Sequence, residues 1–407
     1  MTLLALGLSH ATSPVEQREK AALSAAGARA LLRDLTADEA VAEAVALSTC
    51  NRTEVYVLSP DPARAAEAVA GALVAHTAIA PGELARARYL LRDERAAAHL
   101  FRVATSLDSM VVGESEIQGQ VRSAWAVAAQ EGASGPILDR LFRQALEVGK
   151  RVRSATAIGA GAASVSAVAV DLAAEVFGDL PERRVLVVGA GGVAEATARA
   201  LVHHGVRTVT VANRTADRAR ELAERVGGRG VGFERLAGEL AGADIVISST
   251  DAPTVILRPA QIASAMADRA DRPMLIVDIS VPRDVHAAAA GVAGVALFDI
   301  DDLARVAEAN LNGRRVEAER GEGYVRDAAR AFAAWRRGRR AEPAITALRA
   351  RAEEIRRSEL DRVADRWEGL SDADRLRLDA LTARIVNKLL HEPTVALRAA
   401  AQAGEGP

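Results

Sequence analysis

The segment VLVVGAGGVAEATARAL, residues 185–201, constrains the fold of this 407-residue chain more than any other stretch. Its first four residues are apolar and predict a buried strand, and the glycines that follow predict a tight turn into a helix. Ala194 stands where the third glycine of the G-x-G-x-x-G fingerprint is usual. Such glycines let the backbone approach a pyrophosphate at the helix N-terminus. The segment therefore predicts a parallel α/β domain that binds a dinucleotide.

The end of the next predicted strand, residues 208–212, indicates which dinucleotide binds. Sites for NAD usually carry Asp or Glu about 20 residues past the glycines, and no acid stands there. Arg214 can instead pair with the 2′-phosphate of NADPH, so NADPH is the expected cofactor, with a solvated arginine as the alternative reading. The predicted cofactor-binding residues are Gly189, Ala190, Gly191, Gly192, Val193, Ala194, Asn213, Arg214 and Thr215. Further strand signals at 244–248, 274–277 and 295–298 continue the parallel sheet.

The only cysteine, Cys50, lies in the polar segment STCNRT between two predicted strands. A free cysteine is usually a small buried hydrophobe. A thiol on a polar loop beside Arg52 can instead be a reactive nucleophile, because a neighbouring cation lowers the pKa of a thiol. Residue chemistry alone leaves both readings open.

The N-terminal elements follow the order β-α-β-β-α-β, which predicts a ferredoxin-like sheet with Cys50 in the loop between its second and third strands. His99 lies on the helix predicted at residues 93–104, and a lone histidine there is more often a satisfied core or surface histidine than a functional one. The segment GESEIQGQVRSAW, residues 113–125, begins with a polar break and continues as a helix. Its acids and Ser115 also fit an ordinary capped helix start.

Composition and charge narrow the possible partners, the cellular compartment and the domain organisation. The net charge of −2 gives no global attraction to nucleic acid. A single cysteine excludes an internal disulfide framework and fits a reducing cytoplasm, and the N-terminus is expected to be neither a signal peptide nor a membrane span. We expect a catalytic domain at residues 1–156, a dinucleotide domain at 157–300 and a helical domain at 301–407. The amphipathic stripes of the last domain predict a dimer, and no metal site is predicted.

Several blocks together resemble the glutamyl-tRNA reductase family over essentially the whole chain. The blocks are SHATSPVEQREK, STCNRTEVY, GESEIQGQVR, VVGAGGVAE with ANRT, and DISVPRDV followed by FDIDDL. Ser9 and Ala11 replace the asparagine and lysine common in the family's opening. The resemblance implies a ferredoxin-like catalytic domain, a Rossmann-type NADP domain and an all-helical domain that forms the dimer.

The resemblance also implies a reaction: Cys50 forms a thioester with the glutamyl group of glutamyl-tRNA, and NADPH reduces it to glutamate-1-semialdehyde. This is the first step of tetrapyrrole synthesis from glutamate. His99 is expected to assist proton transfer. The residues expected to bind substrate are Thr49, Asn51, Arg52, Ser109, Glu114, Ser115, Glu116 and Gln120, with Arg52 on the substrate carboxylate. The downstream semialdehyde aminotransferase is a further partner that the resemblance suggests, and no membrane partner is expected.

Two alternatives belong to other functional classes. The first is an NADP-dependent dehydrogenase of a free small acid that needs no tRNA. The second is a non-enzymatic cofactor-sensing protein, which predicts an unreactive, buried Cys50.

Overall fold

A computed structural model describes residues 1–110, 113, 116–156, 165–267, 269, 272–309, 315–339, 341–364 and 371–403. The chain divides into two compact units, Met1–Arg326 and Asp327–Pro407. The first unit contains two separate sheets, and the second is helical.

The N-terminal sheet has four antiparallel strands in the order β2-β3-β1-β4. This is the order and direction of the predicted ferredoxin-like sheet, and that prediction is confirmed. The strands are β1 (Thr2–Ser9), β2 (Glu43–Ser48), β3 (Arg52–Ser59) and β4 (Tyr89–Arg92). The helices are α1 (Val15–Ala21), α2 (Ala25–Ala37), α3 (Pro62–His76), α4 (Pro81–Ala87), α5 (Glu94–Ala104), α6 (Ile117–Gln130) and α7 (Pro136–Ala155). The short helices α1 and α4 were not predicted.

Local signals explain where several of these helices begin. The Ser24 hydroxyl accepts a hydrogen bond from the Gly27 N–H at 3.0 Å and caps α2, as the sequence predicts. The Asp61 carboxylate caps α3 in the same way, and Pro62 occupies the first helical position, where a missing N–H costs nothing. Pro136 likewise begins α7, the long helix that packs under the sheet.

The second sheet has six parallel strands in the order β10-β9-β8-β5-β6-β7. This is the Rossmann order, in which ligands bind at the carboxyl ends of β5 and β8, where the direction of winding reverses. The strands are β5 (Arg184–Val188), β6 (Thr208–Asn213), β7 (Arg229–Gly232), β8 (Ile245–Ser248), β9 (Met274–Asp278) and β10 (Val295–Phe298). The helices are α8 (Val165–Phe177), α9 (Gly192–His203), α10 (Ala216–Val226), α11 (Leu236–Gly242), α12 (Pro259–Ala267) and α13 (Ile300–Ala309). Strand β7 was not predicted.

The rest of the described chain consists of the helices α14 (Arg315–Arg339), α15 (Glu342–Ala364) and α16 (Asp372–Ala403). Helices α15 and α16 pack against each other, and Pro343 lies in the first turn of α15, where a missing N–H costs nothing. Both helices leave large apolar side chains in water, among them Ile355, Ile385 and Leu389. None of the helices in the described ranges is long and apolar enough to cross a membrane.

Candidate active site

Cys50 lies in the loop of residues 49–51 that joins β2 to β3. The Thr49 N–H donates to the Arg52 carbonyl oxygen at 2.8 Å, and the Asn51 N–H donates to the Thr49 hydroxyl at 3.1 Å. These bonds hold the loop tightly against the ends of two paired strands. The thiol is therefore carried by a rigid hairpin, which suits a reacting group.

The Cys50 side chain is half-buried, and it packs against a hydrophobic cluster that is centred on the parallel sheet. Val15 and Met110 join that cluster from the first domain, and Val187 and Ile300 join it from the parallel sheet and the helix that follows. The thiol thus stands at the junction of the two domains of the first unit.

A buried ion pair lies next to this loop, at the start of β3. The Arg52 side chain is fully buried, and its Nη1 atom donates to Glu54 Oε1 at 2.8 Å. Its Nη2 atom contacts Asp108, both at the backbone oxygen and at Oδ1, the latter at 3.3 Å. Burying an arginine is costly without such partners, so the two acids fix the guanidinium in place.

His99 on α5 completes the network from the other side. Its Nε2 atom lies 2.9 Å from Glu54 Oε1, and its Nδ1 atom lies 3.4 Å from Asp108 Oδ2. The Tyr56 hydroxyl donates to the second oxygen of Glu54 at 2.5 Å, and the Tyr89 hydroxyl also contacts Glu54. Each Glu54 oxygen therefore has at least one donor.

The network determines which groups carry charge. Burial disfavours the His99 imidazolium, but the charges and hydrogen bonds of Glu54 and Asp108 outweigh it and raise the pKa of His99 to about 9. Burial opposes ionisation of both acids too, but the positive charges of His99 and Arg52 hold the pKa values of Glu54 and Asp108 well below their usual range. At neutral pH, His99 is therefore a cation that can donate a proton.

Four buried polar atoms around this network have no hydrogen-bond partner among the described residues. They are His10 Nδ1, Asn51 Oδ1, Arg52 Nε and Ser109 Oγ. They come from three segments that meet here, since the His10 N–H donates to the Asn51 carbonyl at 2.9 Å and Arg52 contacts Asp108. Buried polar atoms are normally hydrogen-bonded, so this arrangement fits a polar ligand that satisfies them.

His10 differs from His99 in charge. Burial, together with the positive charge of Arg52, lowers the pKa of His10 to about 4. At neutral pH the imidazole is uncharged, so its Nδ1 atom can accept or donate a single hydrogen bond, depending on the tautomer.

The glycine loop after β5 forms a second site at the carboxyl end of the parallel sheet. Gly189 has φ +112°, and a Cβ built there would lie 2.0 Å from the Ser249 carbonyl oxygen, so only glycine fits. Gly191 and Gly192 open α9, and a Cβ at either would meet nothing within 4 Å. Ala194 is fully buried against the sheet, as the third position of the fingerprint requires. Open space before a helix N-terminus fits a pyrophosphate group.

Strand β6 pairs with β5 and brings residues 213–215 to the same edge of the sheet. Arg214 is exposed there, and the Asn213 side-chain amide donates to the Thr215 carbonyl at 3.3 Å. The cofactor-binding residues that the sequence predicts therefore lie on two adjacent strand ends.

Known proteins share this architecture along the full chain. Family models match in series: the N-terminal domain of glutamyl-tRNA reductase at residues 6–156, shikimate/quinate 5-dehydrogenase at 171–306, and the glutamyl-tRNA reductase dimerisation domain at 320–407. The glutamyl-tRNA reductase of Rubrobacter xylanophilus is 44% identical over 406 residues, covering 100% of this chain and 94% of that protein. The chain belongs to the glutamyl-tRNA reductase family. The predicted family and its three-part fold are confirmed.

Two further relatives support the same family assignment. The glutamyl-tRNA reductase of Pelobacter propionicus is 41% identical over 404 residues, covering 99% of this chain and 93% of that protein. The solved structure of glutamyl-tRNA reductase from Methanopyrus kandleri is 34% identical, covers 99% of both chains and superimposes with a TM-score of 0.50.

The structure brings together most of the side chains that the sequence analysis expects at the substrate site of this family. Arg52 and His99 meet through their shared partners Glu54 and Asp108. Thr49, Cys50 and Asn51 form the loop before Arg52, and Ser109 follows Asp108 in the chain. Glu116, at the start of α6, is half-buried, and burial raises its pKa. Gln120 follows it by one turn, its N–H donating to the Glu116 carbonyl at 3.1 Å. Glu114 and Ser115 lie outside the described residues.

The sequence analysis did not single out Glu54, Asp108, His10 or Arg18 as site residues. One signal was available for Glu54, because a carboxylate in a strand between apolar and aromatic neighbours must have a buried partner. The SHATSP turn held a second signal, a histidine placed directly after a strand. Asp108 gave none, since it becomes part of the site only through the packing of α5 against β1.

Proposed function

We propose that this chain reduces glutamyl-tRNA to glutamate-1-semialdehyde through a thioester on Cys50, the first step of tetrapyrrole synthesis. The observation that carries this proposal is the position of the sole cysteine. It is half-buried, directly precedes Asn51 and Arg52 with their unpartnered buried atoms, and packs against the hydrophobic cluster of the domain with the dinucleotide fingerprint. Membership of the family confirms the predicted oxidoreductase class and NADPH as its reductant.

The covalent chemistry needs few groups from the protein. The Cys50 thiolate attacks the ester carbonyl carbon of glutamyl-tRNA; the C–S bond forms, the ester C–O bond breaks, and the ribose oxygen leaves as a hydroxyl after taking a proton. Bound NADPH supplies the hydride that reduces the thioester carbon. Cleavage of the C–S bond then releases the aldehyde and restores the Cys50 thiolate.

His99 is our candidate for the proton donor to the departing ribose oxygen. It is a cation at neutral pH because Glu54 and Asp108 hold it in that form. The same two carboxylates accept from both ring nitrogens and orient the imidazolium, so its proton reaches the ribose oxygen when one of these hydrogen bonds is exchanged for one to the substrate. In this proposal Glu54 and Asp108 act through His99 and Arg52.

The substrate's glutamyl group would satisfy the unpartnered atoms of Asn51, Arg52 and Ser109. Thr49, Glu116 and Gln120 stay in the proposed substrate site with them, as do Glu114 and Ser115. A half-buried carboxylate such as Glu116 suits the substrate's α-ammonium group, because pairing with a cation stabilises the charged form that burial disfavours.

Arg52→Lys should lower kcat/KM for glutamyl-tRNA by about 10- to 100-fold, since hydrogen bonds to charged groups are worth about 1.5–3 kcal/mol each. Lysine keeps the charge but loses the planar fork and the Nε atom that faces the pocket. Steady-state kinetics measure the effect. Arg29→Lys is a matched control, because Arg29 pairs with Glu131 on the surface of the same domain. Unchanged kinetics in Arg52→Lys would assign Arg52 a purely structural role.

Arg214→Ala should raise KM for NADPH by about 10- to 100-fold, the range expected for one charge-assisted hydrogen bond, and leave KM for NADH nearly unchanged. Parallel kinetics with both cofactors measure the difference. Arg207→Ala serves as control, since Arg207 is an exposed arginine at the opposite end of β6. An equal effect of Arg214→Ala on both cofactors would show that Arg214 does not contact the 2′-phosphate.

We propose that the domain boundaries lie near residues 156 and 300. We also propose that two copies of the chain form a dimer through the C-terminal helices. The match to a dimerisation domain at residues 320–407 supports this pairing. So do Ile385 and Leu389 of α16, which are 48% and 70% exposed on one face of the helix. Exposed apolar stripes of this kind are normally buried by a partner.

Leu389→Glu should convert the dimer to a monomer at concentrations where the unaltered protein is dimeric, because a charge would be buried without a partner. Light scattering measures the mass. Asn387→Glu adds the same charge two residues away, and residues two apart on a helix do not share a face, so this control should remain dimeric. A dimeric Leu389→Glu protein would place the interface elsewhere.

The decisive experiment supplies glutamyl-tRNA with and without NADPH and follows both free tRNA and aldehyde. We expect aldehyde only with NADPH, and no product from free glutamate. Reduction of free glutamate would indicate a dehydrogenase of a small acid, and an unreactive Cys50 without turnover would indicate a sensor. We place the reaction in the cytoplasm and propose the semialdehyde aminotransferase as its downstream partner, which binding of the purified proteins would test.

A further inference from the structure

Helix α1 links the Cys50 loop to the dinucleotide domain through one buried side chain. Arg18 is 2% exposed and makes three hydrogen bonds to three different segments. Its Nε atom donates to the Cys50 carbonyl at 3.3 Å, its Nη1 atom to the Ser13 carbonyl at 2.9 Å, and its Nη2 atom to Asp301 Oδ1 at 2.6 Å. Asp301 lies just past the boundary near residue 300, in the first turn of α13, and α13 packs against α8 and β10 of the dinucleotide domain.

The acceptor of this link is itself fixed. The second oxygen of Asp301 accepts from the Val15 N–H at 3.1 Å, at the start of the helix that carries Arg18. The Asp301 N–H donates to Asp299 Oδ1 at 3.0 Å. The carboxylate therefore binds α1 at two points and holds it against α13.

A second ion pair joins the same two surfaces one residue further along α1. Both oxygens of Glu19 accept from Arg283, at 2.9 Å from Nε and 3.1 Å from Nη2, and the Arg283 N–H donates to the same carboxylate at 2.6 Å. Arg283 belongs to the segment DISVPRD, which follows β9 at the carboxyl edge of the parallel sheet. Two buried or half-buried ion pairs thus lock α1 to the edge where the dinucleotide is expected.

We propose that Arg18 is a positioning residue that holds the Cys50 loop against the dinucleotide domain, so that the thioester is reduced before water can hydrolyse it. This inference rests on the function proposed above. Attack by Cys50 on the ester uses groups of the N-terminal domain alone. Reduction also requires the cofactor domain within reach of the same carbon, and misplacement by about 1 Å can cost about 10²-fold in rate. Of the two ion pairs, Arg18–Asp301 is the one that also contacts the Cys50 loop.

The proposal predicts a change in the fate of the thioester rather than a uniform loss of activity. Asp301→Asn removes the negative charge that pairs with Arg18 and leaves the contact of Arg18 with the Cys50 loop intact. Arg18→Lys keeps the positive charge, but a lysine ammonium cannot replace the planar guanidinium that bonds all three acceptors at once. With NADPH present, both variants should raise the ratio of glutamate to aldehyde at least about tenfold, while release of tRNA changes little. Tenfold is a part of the loss of about 10²-fold in rate that a misplacement of about 1 Å can cause.

Lys20→Ala is the matched control. Lys20 lies on the same helix, and its ammonium pairs with Glu83 of the N-terminal domain instead of crossing to the other domain. Its product ratio should equal that of the unaltered protein. Thermal unfolding of each variant shows whether the fold is retained, and Asp301→Asn keeps the test valid if Arg18→Lys fails to fold.

The outcomes separate this inference from the proposed function. Absence of aldehyde from the unaltered protein would overturn the function itself. Aldehyde from the unaltered protein, with an unchanged product ratio in a folded Asp301→Asn variant, would overturn only the positioning role. A parallel fall of tRNA release and aldehyde in that variant would also overturn it, because it would show that Arg18 and Asp301 support the fold of the Cys50 site in general.

Discussion

Cys50→Ser is expected to abolish both aldehyde formation and the release of tRNA. A serine hydroxyl is scarcely ionised at neutral pH, so the variant lacks the nucleophile that makes the thioester. We expect a loss of about 10⁴-fold or more, the order seen when a covalent enzyme loses its nucleophile. Single-turnover assays of both products measure it. Serine is nearly isosteric, so the half-buried position should keep its packing and the protein its thermal stability.

The sequence supplies an internal control for this experiment. Because Cys50 is the only cysteine, a thiol-alkylating reagent can label the unaltered protein at one place only. Labelling should inactivate the enzyme in proportion to the fraction labelled, and glutamyl-tRNA should slow it. Aldehyde formation by Cys50→Ser within about tenfold of the unaltered rate would contradict the covalent mechanism, given the loss expected for a missing nucleophile.

The parts of the fold that the sequence predicts are those whose signals are local. The glycine fingerprint, the strand before it and the helix after it occupy one continuous segment, and each of its residues has the predicted position. The order β-α-β-β-α-β could likewise be inferred from short apolar runs and the turns between them. Such features need no knowledge of distant contacts.

The elements that the sequence analysis missed depend on tertiary contacts. Strand β7 reads RGVG, and two glycines in four residues argue against a strand. It forms because β6 offers a free edge and α10 packs over it; a Cβ at Gly230 would lie only 2.6 Å from the Arg220 backbone nitrogen. Helix α1 has only seven residues and is held by ion pairs to residues far along the chain.

The candidate site also contains some residues that local sequence predicts and others that only tertiary packing brings in. The loop residues 49–52 could be predicted because they follow one another in sequence. Of the partners of Arg52, Glu54 could also have been predicted, because residues two apart on a strand point to the same face. Asp108 could not, since it reaches Arg52 only after α5 has packed against the sheet. An arginine in a polar segment suggests a free ligand contact, whereas the structure gives its charge two carboxylate partners and leaves only the buried Nε atom without a hydrogen bond among the described residues. Arg18 and Asp301, 283 positions apart, show the same dependence on tertiary packing.

Gly191→Val is expected to uncouple the two half-reactions. Gly191 has φ −82°, a conformation that any residue adopts, and a Cβ there would meet nothing within 4 Å. The variant should therefore fold normally. The new side chain would instead occupy the open space through which a pyrophosphate approaches the start of α9, and so prevent the cofactor from binding.

The thioester should still form in this variant, because Cys50 and its polar pocket lie in the N-terminal domain. Without hydride, the thioester should be hydrolysed by water to glutamate, so Gly191→Val should act as a slow esterase on glutamyl-tRNA. We expect aldehyde formation to fall at least about 10²-fold, as it does when reacting groups are held apart, while release of tRNA in the first turnover continues at nearly the unaltered rate. Both products are measured in parallel, with Cys50→Ser as the control for spontaneous ester hydrolysis.

Two further variants make the result specific to the cofactor loop. Gly238→Val places the same side chain in open space on α11 of the same domain, and its aldehyde formation should be unchanged. Gly189→Val should fail differently, since its Cβ would collide with the Ser249 carbonyl oxygen at a backbone angle that favours glycine, and lower thermal stability should follow. If a folded Gly191→Val protein released tRNA no faster than Cys50→Ser, cofactor binding would have to precede the attack by Cys50, and the order of steps proposed here would be wrong.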